Sequence, residues 1–167
     1  MMRGARKARA TLKIDVLSES GLWKKNKAAA SVARRAVTEA AAALSTPTAE
    51  LAIVLTDDSA IRRLNRAWRG IDAATNVLSF PTSTAGGEPP LLGDIVLAYE
   101  TIASEARAER KPFAHHVAHL AVHGFLHLLG YDHTRIKDAE TMEHLEREIM
   151  RQLAIPDPYR LPAEAAV

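Results

Sequence analysis

Every segment in which apolar residues alternate strictly with polar ones lies before residue 100, and from Thr101 onward the apolar residues recur at helical spacing. That order excludes a regular repeat of strand and helix units and predicts an α+β fold. The expected architecture is a small mixed β-sheet of about four strands covered by about five helices. Leu12, Ile14 and Val16 mark the first strand, Glu50–Thr56 the second, and Val77–Phe80 and Asp94–Ala98 the last two. The turn-rich stretch Ser83–Pro90 between the last pair predicts a hairpin with a flexible tip. Residues 22–44 are Ala-rich and helical up to Pro47, and Asp57 or Asp58 caps a short helix running through Trp68. On that short helix Trp68 is expected to anchor into the core. Three further helices are predicted: Thr101 to about Arg110, Pro112 to Gly130, and Asp138–Leu153, the last with Met142, Leu145, Ile149 and Leu153 on one face.

At 167 residues the chain has the length of one domain. Residues 1–10 read as a flexible basic arm, 11–155 as a single catalytic domain and 156–167 as an irregular tail. There is no cysteine, which excludes a disulfide framework, a thiol nucleophile and cysteine-held metals. No apolar run approaches the roughly 20 residues of a membrane span, and no secretory signal follows the basic start, so the expected compartment is the cytoplasm. The net charge of +2 conceals an asymmetry: residues 1–70 carry 14 Lys/Arg against 6 Asp/Glu, and residues 71–167 carry 8 against 14. A basic half on a nearly neutral chain suits a polyanion, most often nucleic acid.

The chain has seven histidines, and the segment His123-Gly124-Phe125-Leu126-His127-Leu128-Leu129-Gly130-Tyr131-Asp132-His133 arranges three of them for metal binding. His123 and His127 lie one helical turn apart on one face. Gly130 suits a left-handed residue ending the helix, after which the chain can turn back and bring His133 to the same point. Three imidazoles leave the fourth tetrahedral position of zinc open, as in catalytic sites. His119, His123 and His127 span about 12 Å on a straight helix, too far to share one ion, so His119 is read as a neighbour of the ligands. His115, His116 and His144 are read as surface residues. Asp132 either orients a histidine or water or serves the turn.

The same histidine spacing occurs in metzincin peptidases. HExxH peptidases place a glutamate base after the first histidine, and here that position is Gly124. A peptidase would need a carboxylate from elsewhere, such as Asp94 or Glu143. Metal-assisted cleavage of phosphodiesters needs no such base at that position, because the ion itself activates water and offsets developing charge.

The segment His123–His133 resembles the H-G-x-L-H-L-x-G-Y-D-H motif of the YbeY family of bacterial metal-dependent endoribonucleases. The resemblance extends through Leu64-Asn65 with Trp68-Arg69-Gly70, then Thr75–Pro81, then Leu92-Gly93-Asp94-Ile95, and covers about residues 55–153. It implies one zinc ion per chain on His123, His127 and His133, which with Arg69 form the catalytic set. It also implies single-stranded RNA cleavage, maturation of the 16S rRNA 3′ end and a part in ribosome quality control. The implied partners are rRNA and the small ribosomal subunit, with ribosomal proteins or GTPase assembly factors. Asn76 stands where many members carry Asp, and that position is given no catalytic role.

Residue chemistry agrees with an RNA substrate. Arg62, Arg66 and Arg69 share one helix face and can follow successive phosphates. A different class of function, a ribosome assembly factor with a mainly structural metal, is separated from catalysis by the fourth metal position: open for catalysis, filled by a side chain for structure.

Overall fold

The computed structural model describes residues 11–82 and 87–160, so the basic arm at 1–10, the hairpin tip at 83–86 and residues 161–167 lie outside it. Four strands, β1 (Leu12–Ser18), β2 (Ala49–Thr56), β3 (Val77–Pro81) and β4 (Leu91–Ala98), form one mixed sheet in the order β1-β2-β4-β3. β1 and β4 both run parallel to β2, while β3 pairs antiparallel with β4 as the expected hairpin. The described helices are α1 (Ala29–Ala43), α2 (Asp58–Arg69), α3 (Tyr99–Ala108), α4 (Phe113–Leu128) and α5 (Ile136–Gln152), with a short 3-10 helix at Gly21–Asn26. No described helix is long and apolar enough to cross a membrane.

The single helix expected over residues 22–44 is split. Its first part is the 3-10 turn, capped by the Ser20 hydroxyl, which accepts from the Leu22 N–H at 3.3 Å. That turn seats Trp23, whose indole N–H donates to the Thr56 carbonyl at 2.8 Å and whose ring meets Tyr99 edge-on at 5.3 Å. Asp57 is the cap of α2, accepting from the Ala60 N–H at 2.9 Å. Asp58 instead binds the first turn of α3, through the Thr101 N–H and hydroxyl.

Side-chain alternation assigns the two faces of the sheet to different helices. Leu51, Ile53 and Leu55 of β2 and Ile95 and Leu97 of β4 join the main core with α1, α4 and α5. Val96 and Ala98 face the other way and pack with Leu78 of β3 and Ile61 of α2. Trp68 is not part of either cluster. It is 73% exposed, because Ile61 lies on the face of α2 that meets the sheet and Trp68, seven residues on, sits at the helix's last turn beyond that contact. Its ring lies 6.2 Å from that of Phe80 between centroids, inclined at 65°.

α4 is the central helix, with eleven of its 16 residues buried. It can approach the sheet closely because position 124 has no side chain. A Cβ there would stand 2.7 Å from Ile95 Cγ2 and 3.1 Å from the Ser79 hydroxyl, and the same hydroxyl donates to the Gly124 carbonyl at 2.9 Å. Gly124→Ala is therefore expected to destabilise the fold by about 1–3 kcal/mol, the usual range for overpacking. Urea denaturation at unchanged slope measures it; wild-type stability would show that the strand yields freely.

Candidate metal centre

Beyond its first turn, α4 reaches the surface only at His123 and His127. Their rings are 4.6 Å apart, and the two Nε2 atoms face each other at 3.1 Å. The helix then ends as the sequence predicts: Gly130 takes φ +96°, its N–H bonds the His127 carbonyl, and the Tyr131 N–H bonds the Leu126 carbonyl. Those two bonds are the Schellman pattern. Asp132 serves the turn that follows, accepting from the His133 N–H at 2.7 Å and from the Thr134 hydroxyl at 3.1 Å. The result returns His133 to the helix, with ring centroids 5.0 Å from His127 and 5.7 Å from His123.

One ligand nitrogen from each of His123, His127 and His133 lies within 4.8 Å of the other two. Nitrogens bound tetrahedrally at about 2.0–2.1 Å stand roughly 3.3 Å apart, close to the 3.1 Å between His123 and His127. Burial lowers the pKa of His127, and the neighbouring His123 and His133 lower it further, so the ring is held in the neutral form that binds metal. The trio fits a divalent cation. Among the described residues no carboxylate belongs to this cluster.

The residue that organises the site escaped the sequence reading. Glu146 of α5 is fully buried and accepts from His123 Nδ1 at 2.6 Å, from His119 Nε2 at 2.8 Å and from the Tyr159 hydroxyl. Burial alone would raise its pKa, but the hydrogen bonds from His119 and His123 hold it down at about 2. An ionised carboxylate on Nδ1 fixes that nitrogen as the protonated one and leaves the Nε2 lone pair of His123 free toward His127. His119 is thus a neighbour of the ligands, bound to their support. Tyr159 lies past α5, where the described residues 153–160 form only turns and irregular backbone, and that stretch gives no periodic signal. Glu146 had one: it interrupts the apolar stripe of Met142, Ile149 and Met150, where a charge requires a buried partner.

Other expected residues fall elsewhere. His116 is buried, not at the surface, with its Nε2 3.0 Å from Glu105. His144 is exposed. Asp94 shares the sheet face of Val96, opposite the face on which Ile95 meets α4, and Glu143 lies 3.9 Å from Arg147 on its own helix. Asp94 therefore faces away from the trio, and among the described residues neither carboxylate joins its cluster. Arg62 is engaged by Asp72 at 2.8 and 3.2 Å, whereas Arg66 and Arg69 are exposed at the end of α2. The arginines and the trio occupy opposite faces of the sheet, separated at its margin by β3.

Removing the carboxylate with Glu146→Ala should lower zinc affinity by about 10–100-fold in a chelator competition, the usual cost of losing such support. Tyr159→Phe, which removes one of three donors, should cost less. Unchanged affinity in Glu146→Ala would mean that the rings hold themselves.

A family model described as Endoribonuclease YbeY matches residues 16–154. Endoribonuclease YbeY of Rhodopseudomonas palustris strain BisB18 is 52% identical over 153 residues, covering 87% of this chain and 90% of its own length. Endoribonuclease YbeY of Nitrobacter winogradskyi is 52% identical over 161 residues, covering 92% and 85%. The solution structure of TM1509 from Thermotoga maritima shares the fold, with a TM-score of 0.51 at 22% identity over 88% of this chain and 99% of that one. With a family match across most of its length and half its residues shared with these relatives, the chain belongs to the YbeY endoribonuclease family.

Proposed function

We propose that this chain is a zinc-dependent, single-strand-specific endoribonuclease that acts in 16S rRNA 3′-end maturation and ribosome quality control in the cytoplasm. The observation that carries the reading is a trio of imidazoles gathered at one point with no fourth protein ligand among the described residues. A purely structural zinc site is normally closed by four protein side chains, so the arrangement favours catalysis over a metal that serves only the fold. The names of the similar proteins support the reaction class. The rRNA role, and rRNA, the small subunit and ribosomal proteins or GTPase assembly factors as partners, rest on the motif resemblance.

A zinc ion, when bound here, would supply Lewis acidity toward a phosphate oxygen and toward water. His123, His127 and His133 would hold it, and Glu146 keeps His123 in the tautomer that turns its Nε2 lone pair to the site. Arg69, across the β3 margin from the trio, binds a phosphate neighbouring the scissile one, and Arg66 and Arg62 track the adjoining backbone. For Arg62 that requires exchanging Asp72 for a phosphate; the pair is surface-exposed, where such ion pairs contribute little.

His123→Ala and His127→Ala should each abolish zinc binding and RNA cleavage while the fold persists by circular dichroism. Nuclease activity retained in the metal-free protein would overturn the catalytic role. Arg69→Glu should weaken RNA binding by tenfold or more while zinc content stays at one per chain; unchanged affinity would remove Arg69 from the substrate path.

A further inference from the structure

The most exposed aromatic ring among the described residues is Trp68, at 73%, and it stands between Arg66 and Arg69 in sequence at the end of α2. An indole left in water costs free energy that a short helix does not recover locally, since burying a large aromatic is among the strongest contributions a side chain can make. Trp68 is not loosely placed. Phe80 of β3 packs beside it with rings inclined at 65°, and the high exposure of the indole leaves ring surface open to a flat partner. Ile71, three residues further along the chain, is also exposed, at 52%.

Charge narrows the occupant. The last turn of α2 carries Arg66 and Arg69, Arg63 is exposed on the same helix, and none of the three makes a salt bridge among the described residues. An exposed indole on a helix end that carries these guanidinium groups matches a polymer that alternates flat bases with phosphates. Position narrows it further. β3 is the terminal strand of the sheet. Its Phe80 supports Trp68 on one face, while its Val77 and Ser79 lie against Gly124, next to His123, on the other. A flexible single strand can pass over that margin; a rigid duplex cannot follow so sharp a turn.

We propose that Trp68 is a stacking platform for one base of a single-stranded RNA whose backbone is cut at the histidine trio on the other side of β3. The assignment rests on the nuclease reading, deepens it by accounting for single-strand preference, and makes Trp68 a substrate-binding residue.

The test uses zinc-loaded protein and a short uridine oligonucleotide with 2′-O-methyl riboses, followed by fluorescence anisotropy, together with cleavage kinetics on the unmodified RNA. Trp68→Ala is expected to weaken binding by about tenfold, within the range for one stacked base. It should raise KM by a similar factor with kcat within about twofold and leave zinc content and thermal stability unchanged. Trp68→Tyr should retain most of the affinity and Trp68→Leu should not, because stacking needs a π face and apolar contact alone does not. Binding should also quench the tryptophan emission of the wild type and not that of Trp68→Tyr, since Trp23 is buried.

Wild-type affinity in Trp68→Ala, or equal rescue by Leu and Tyr, overturns the platform while leaving cleavage at the trio intact. If RNA binding is unchanged but sedimentation shows that the substitution alters self-association, the patch is a contact between copies and the proposal fails. A wild-type protein that neither binds nor cuts RNA defeats the nuclease reading and the platform together.

Discussion

An ionised carboxylate with no access to water has to be surrounded by donors, and in this molecule that requirement ties three separate parts of the chain together. Glu146 lies on α5, its donors His119 and His123 on α4, and the Tyr159 hydroxyl on the tail. The tail is held in turn by Asp157, which accepts from the Tyr159 N–H and lies 3.4 Å from Arg147. Leaving any donor out would strand charge in the core, so the packing of α5 on α4 and the orientation of the His123 ring are one problem with one solution. The family match ends at residue 154, so the tail supplies its donor from beyond the matched span.

The position of the site follows from how deeply α4 is buried. A helix with apolar residues almost all round belongs inside a domain, and here the sheet, α1, α3 and α5 enclose it. Gly124 lets it settle against β3 and β4, so the turn carrying His123 and His127 emerges beside the sheet margin. Rigid packing up to that point limits ring motion, which a metal site needs if its ligands are to meet one ion without reorganisation. The arginine-bearing end of α2 emerges across the same margin, on the other face.

Much of this was legible in the residues. The strand segments, the antiparallel hairpin and the three late helices follow from periodicity, because burial on one face imposes period two or 3.6 whatever the partner is. The histidine trio was legible for a local reason as well: spacing of four on a helix and a glycine that must take positive φ are properties of a few consecutive residues. The exposed Trp68, the buried His116 and the broken first helix were not. Each depends on which element lies opposite, and a large aromatic or a histidine satisfies core and surface equally well until that is known.

Glu146 shows the division most clearly. Its place in an apolar stripe announced that some buried partner existed, but the donors lie 23 and 27 residues upstream and 13 downstream. The sequence by itself determined the strands, the late helices, the histidine trio and the turn that closes it, since these are set by backbone preference and spacing within one segment. Only the tertiary structure decided which carboxylate orients the ligands, which face of the sheet each arginine and aromatic occupies, and that α4 and α2 flank one sheet margin. Those choices come from packing between segments far apart in the chain, where the cost of an unpaired buried charge selects the partner and no local pattern records it.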